Sequence, residues 1–234
     1  MSEGKSKAPK ADGSGRFLFP RGANYLAPVA GVGVVGGLLY VTTLFALGAS
    51  PKTLAVGYQP IQPVPYSHAL HAGKLGLDCR YCHTTVEKTA FANLPPTQTC
   101  MNCHSKIWDK SEKLKPVRDS WTSGEPVHWI KIHNLANYVY FNHSAHVNHG
   151  VGCVECHGRI DRMDVVSQQQ PLSMGWCLDC HRVPETHLRP KDQVTNMGWQ
   201  RPQGADPFVF GVDLRKQYKI HDYAYMTSCY TCHR

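Results

Sequence analysis

Phe141-Asn142-His143-Ser144-Ala145-His146 stands just ahead of Cys153-Val154-Glu155-Cys156-His157, and an earlier stretch, Tyr66-Ser67-His68-Ala69-Leu70-His71, stands in the same way ahead of Cys79-Arg80-Tyr81-Cys82-His83. The Cys-x-x-Cys-His unit occurs five times. Its thiols are Cys79 and Cys82, Cys100 and Cys103, Cys153 and Cys156, Cys177 and Cys180, and Cys229 and Cys232. Its histidines are His83, His104, His157, His181 and His233, and the five copies use all ten cysteines. In such a unit the two thiols add across porphyrin vinyl groups and the next histidine supplies an axial nitrogen to iron. Five covalently bound haem c groups are therefore expected. A zinc site needs four ligands, closed by a second Cys or His pair at finger-like spacing. A disulfide framework gives no reason for a histidine after every second cysteine.

The motifs begin at residues 79, 100, 153, 177 and 229, a short, long, short, long rhythm that reads as a duplicated doublet plus a remnant. The doublets run over 66–104 and 141–181, and the fifth unit over 218–234. His221 precedes Cys229 by the eight residues that separate His71 from Cys79, and Tyr218 stands where His68 would be. Too few residues remain to enclose five haems in a conventional core. The expected fold is mainly α with extensive loops: one N-terminal transmembrane helix and a multihaem cytochrome c domain, 66–234, whose core is the haems.

An electron-carrying haem takes a second strong ligand, whereas a catalytic haem leaves that position open. Nine histidines remain after the five proximal ones, enough to fill every site. Residues three apart on a helix are neighbours that project differently, so one histidine of a pair reaches its own haem and the other an adjacent one. This makes His68, His71, His143 and His146 the leading distal ligands, with His133 next and His221 after it. His128 and His149 read as surface residues, and His187 as a turn position after Pro184. Met174 and Met226, each three residues before an attachment cysteine, read as packing more than as ligands.

From Gly22 to Pro51 no charged side chain appears, and 25–48 is apolar and long enough to cross a hydrocarbon core of about 30 Å. A cleaved signal peptide would carry a shorter apolar region. Residues 1–24 hold Lys5, Lys7, Lys10, Arg16 and Arg21 against Glu3 and Asp12. The positive-inside rule then gives a cytoplasmic, disordered tail and a haem domain on the outer side of a bacterial inner membrane. Gly33 and Gly37 give the span a small face for a partner helix. Residues 49–65, with Pro51, Pro60, Pro63 and Pro65, read as an extended linker without a core. The formal charge of +8 is largely offset by ten haem propionates, which removes the case for a nucleic-acid partner.

The His-pair segment followed by Cys153 to His157 resembles the opening of class III multihaem cytochromes c. There the first histidine of the pair ligates the local haem and the second a neighbouring one. Together with Pro95-Pro96-Thr97-Gln98-Thr99-Cys100-Met101-Asn102-Cys103-His104 and Pro171-Leu172-Ser173-Met174-Gly175-Trp176-Cys177, the anchor and five motifs resemble the pentahaem subunit of alternative complex III over residues 25–234. That resemblance implies an electron wire in a respiratory or photosynthetic complex that oxidises quinol on a different, polytopic subunit. Electrons would pass through iron–sulfur and haem centres to a monohaem cytochrome c subunit or an oxidase. It also brings His133 into the distal set. The rival readings are a self-sufficient membrane-anchored quinol dehydrogenase, whose first motif would follow the helix more closely, and a pentahaem reductase, whose Cys-x-x-Cys-Lys motif is absent here.

Overall fold

A computed structural model describes residues 21–48 and 55–233. The expected cytoplasmic tail up to residue 20, the first part of the linker at 49–54, and Arg234 lie outside the described residues. The chain divides into two units near residue 50. In the first, a 3-10 turn at Arg21–Tyr25 leads into helix α1, Leu26–Gly48, none of whose residues is buried. Pro28 sits in the first turn, where its missing N–H removes no helical bond. Thr42, polar in an apolar segment, returns its hydroxyl to Leu38 O at 2.8 Å. By length and composition the helix over 22–48 is long and apolar enough to cross a membrane.

The second unit is built from short helices and loops. Among the described residues there is no strand, only one isolated antiparallel bridge between Val151 and Leu188. The attachment motifs lie on α2 (Cys79–Cys82), the end of α3 (Thr97–His104), α6 (Cys153–His157), α7 (Met174–Arg182) and α10 (Cys229–Cys232). Each puts its two cysteines three residues apart on one helical face. Other helices support them: α4 (Lys115–Ser123), α5 (His143–Val147), α8 (Pro207–Gln217) and α9 (Tyr223–Met226).

Helices this short do not persist on intrinsic propensity. Side-chain caps start several of them: Asp78 accepts from Arg80 N, Asn142 from Ala145 N, Ser173 from Trp176 N, Asp206 from Phe208 N and Val209 N, and Asp222 from Tyr225 N. Each such cap contributes about 1 kcal/mol. Helix α4 stops at Gly124, whose φ of 79° is the left-handed conformation glycine adopts freely. It braces α3 through the Thr97–Ser120 hydroxyl pair at 2.6 Å.

The largest cluster of buried apolar side chains is small. Leu188, Leu214 and Tyr218 form it, with Val151, Phe210 and Ile220 packed around them. It belongs to the segment between the fourth and fifth motifs. Tyr218 therefore fills space over Gly150 rather than standing in for a ligand. The described end of the linker is tied down rather than free. Gly57 N donates to Gln168 O, Gln168 N to Tyr58 O, and Gln59 Nε2 to Val165 O, while Gln62 bonds both ways with the Ile130 backbone. Val64, inside the stretch expected to have no core, is buried.

Candidate functional site

The two His pairs adopt one arrangement twice. His68 and His71 lie at the start of a π-helical turn, Ala69–Lys74, and His143 and His146 lie on α5. In both copies the aromatic residue two positions ahead of the pair meets the first histidine edge-on and stacks on the second. Tyr66 lies 4.8 Å from His68 and 4.4 Å from His71, and Phe141 lies 4.7 Å from His143 and 4.6 Å from His146. The duplication in sequence is thus a duplication in space.

The pairs face the attachment histidines. His71 and His104 have ring centres 6.2 Å apart, His146 and His181 6.1 Å, and His143 and His157 6.4 Å, the last pair within 8° of parallel. Two imidazoles held trans on one metal, with metal–nitrogen bonds of about 2 Å, have ring centres roughly 6 to 6.5 Å apart. Burial disfavours protonation of His68, and His83 and His71 add to that. His133 also arrives at the third motif, 4.4 Å from His157 and edge-on, too near for that trans relation. None of the five expected distal histidines is in ring contact with His233 among the described residues; the ring beside it is Tyr138, at 5.8 Å.

The second nitrogens fix the tautomers. The Nδ1 atoms of His71, His83, His104, His143, His146, His181 and His233 lie 2.6–2.9 Å from the carbonyls of Ser67, Asn93, Ile107, Ala90, Asn142, Met226 and Tyr138. A carbonyl only accepts, so Nδ1 carries the proton and Nε2 keeps its lone pair for a metal. Burial holds His157 down at about 3 and His68 at about 4, with neighbouring histidines adding to the effect. Burial also lowers His133, His143 and His146. Neutral imidazole is the ligating form. The buried nitrogens His68 Nδ1, His133 Nε2 and His157 Nδ1 have no hydrogen-bond partner. Facing imidazoles set 6.1–6.4 Å apart, with Nε2 unprotonated and paired thiols on the adjoining helices, fit a planar metal-bearing group. No compact group of three or more His, Cys, Asp or Glu side chains at metal-binding spacing occurs among the described residues.

Other parts of the site had no signal in the sequence. Glu155, inside the third motif, accepts from Arg189 Nη2 at 2.7 Å and faces His187 Nδ1 at 3.1 Å. Burial alone would raise its carboxyl, but His187 and Arg189 outweigh that and hold it below its usual value. His187, in the 3-10 turn Pro184–His187 where the sequence put it, is thus also paired with an acid. Arg189 is only 4% exposed, and its guanidinium crosses Gly152 so closely that a Cβ there would meet Cζ at 2.2 Å. The same segment clasps two motifs: Cys153 N donates to Val194 O at 3.1 Å, Cys79 Sγ lies 4.0 Å from Thr195 O, and Thr195 Oγ1 donates to Asp78 at 2.8 Å. Of the other candidates, His221 stacks near Tyr225 at 4.0 Å, Met174 is exposed, and Met226 contributes its carbonyl to His181.

No family model matches the chain. Among proteins of known role, the multihaem cytochrome c subunit of menaquinone reductase from Nitratidesulfovibrio vulgaris is 34% identical over 173 residues. The match covers 64% of this chain and 80% of that protein.

Proposed function

Because the chain belongs to the family of multihaem cytochrome c subunits of quinone-linked oxidoreductases, we propose that it is the electron-transfer subunit of a membrane quinol-oxidising complex of the alternative complex III kind, carrying five c-type haems. The observation that supports this best is the facing of His71 with His104, His143 with His157 and His146 with His181 at 6.1–6.4 Å. Each facing pair would hold one such group from both sides. A group held from both sides would exchange electrons and leave no position for substrate.

When bound, haem supplies one-electron iron chemistry; the residues here supply binding and tuning. The ten motif cysteines would anchor the groups. His83, His104, His157, His181 and His233 would be the proximal ligands, with carbonyl-bound Nδ1 atoms orienting all but His157. His68, His71, His143 and His146 would be distal ligands to the first, second, third and fourth groups respectively. His133 belongs to the same buried cluster, beside the third. The helix at 22–48 would be a single inner-membrane anchor, with residues 66–234 forming the haem domain on the outer side. Polytopic, iron–sulfur and monohaem cytochrome c subunits would be its partners, and a cytochrome c or oxidase the acceptor.

A second reading reverses the flow. The relative is named a menaquinone reductase, so the haems would deliver electrons to quinone. Purification in mild detergent with identification of co-purifying subunits tests the complex. Addition of quinol to the oxidised complex, and of quinone to the dithionite-reduced one, then tests direction. Haem reduction by quinol on the turnover timescale supports the first reading, and haem oxidation by menaquinone alone supports the second. Rapid quinol oxidation by the isolated subunit would sink both.

A further inference from the structure

We propose that the five attachment sites form one unbranched row in the order second, first, third, fourth, fifth, so that the row begins and ends on the second and fifth motifs. The proposal rests on the five-haem reading above and adds to it the sequence of hops, which differs from chain order.

Four links carry it. The second and first sites are joined by the π-helical turn at the head of the first doublet, which directs His71 to His104. Asn102 Nδ2, inside the second motif, donates to Tyr81 Oη, inside the first, at 3.2 Å. The first and third sites are clasped by one segment: Cys153 N donates to Val194 O at 3.1 Å, while the next residue, Thr195, places its carbonyl 4.0 Å from Cys79 Sγ and donates its hydroxyl to Asp78 at 2.8 Å. The third and fourth sites share α5, with His143 facing His157 and His146 facing His181. The fourth and fifth are joined where His181 Nδ1 donates to Met226 O at 2.8 Å, three residues ahead of Cys229. Helix α9, which carries Met226, also packs on α7.

Four links over five sites, with the first, third and fourth used twice and the second and fifth once, define a row. The ends also differ from the middle in the exposure of their thiols. Of the ten motif cysteines, Cys103 in the second motif and Cys229 in the fifth are exposed, and the other eight are half-buried. The doublet repeat explains the departure from chain order. Each His pair couples the two motifs of its own doublet, and the clasp at Val194–Thr195 then joins the doublets through their first members. Electrons enter and leave such a row at sites two and five, because only these have a side not occupied by a neighbour.

A cryo-electron microscopy structure of the purified, haem-loaded protein tests the order. The expected four shortest iron–iron separations are second to first, first to third, third to fourth and fourth to fifth; any other pair among the four overturns the row. An independent test uses the potentials. Methionine ligation raises haem potential, and reduction of one haem electrostatically disfavours reduction of its neighbours. In redox titrations followed by electron paramagnetic resonance, H71M should raise one signal and displace one other, whereas H146M should displace two others. Two displaced signals with H71M, or one with H146M, overturns the order. Five haems arranged differently refute the row but leave the electron carrier intact. A haem count below five by intact mass refutes the underlying reading as well.

Discussion

A single imidazole shows how far local pattern carries. His133 and His143 both reach His157, but only His143 stands near the trans separation, with its Nδ1 committed to Ala90. H143A is therefore expected to turn one low-spin ferric signal high-spin, while H133A leaves the number of low-spin haems unchanged. Electron paramagnetic resonance of the oxidised variants checks both, and the reverse pattern would exchange their roles. The His pairs were legible in the sequence because covalent attachment fixes the proximal ligand within five residues and the pair recurs at a constant helical offset. The competition between His133 and His143 was not. It depends on where residues 128–136 fold against the third motif, and no spacing records that. Met226 illustrates the same limit: the sequence offers its sulfur, whereas the fold uses its carbonyl.

Between elements, two close approaches hold the unit together. Gly73, in the π-helical turn, lies so near the loop after the third motif that a Cβ would sit 2.2 Å from Asp161 O. Ala69 N donates to Met163 O and Ser67 Oγ to Asp164 beside it. G73A forces backbone apart and is expected to destabilise by about 1–3 kcal/mol, read as a fall in the melting temperature of the haem-loaded protein. G175A on α7, with open space at its Cβ, is the control and should change little. The Arg189–Glu155 pair is the second device. R189L leaves a partly buried carboxylate without its guanidinium and is expected to lose about 3 kcal/mol; denaturant titration measures it, and a loss below 1 kcal/mol would mean that water replaces the arginine. Neither device was legible, since Gly73 and Arg189 act on residues that are near only in the folded chain. Their partners carry no pattern of their own.

For the whole molecule, the helical class, the apolar N-terminal helix and the repeat were readable from periodicity and cysteine arithmetic. The joining of the doublets was not, because it runs through contacts more than a hundred residues apart in sequence, such as Thr195 to Asp78. Intact mass of the denatured chain is expected to exceed the apoprotein by five haems, and a smaller excess would mean an idle motif. The isolated subunit should be reduced by dithionite yet turn over quinol negligibly. The clasp also sets a schedule for biogenesis. Val194 and Thr195 follow four of the five motifs along the chain, so a polypeptide delivered N-terminus first presents those eight thiols before the residues that fasten Cys79 against Cys153 have emerged. Ligation to haem meets a loose chain, and the late-arriving segment closes the assembly only when most of its cargo is in place.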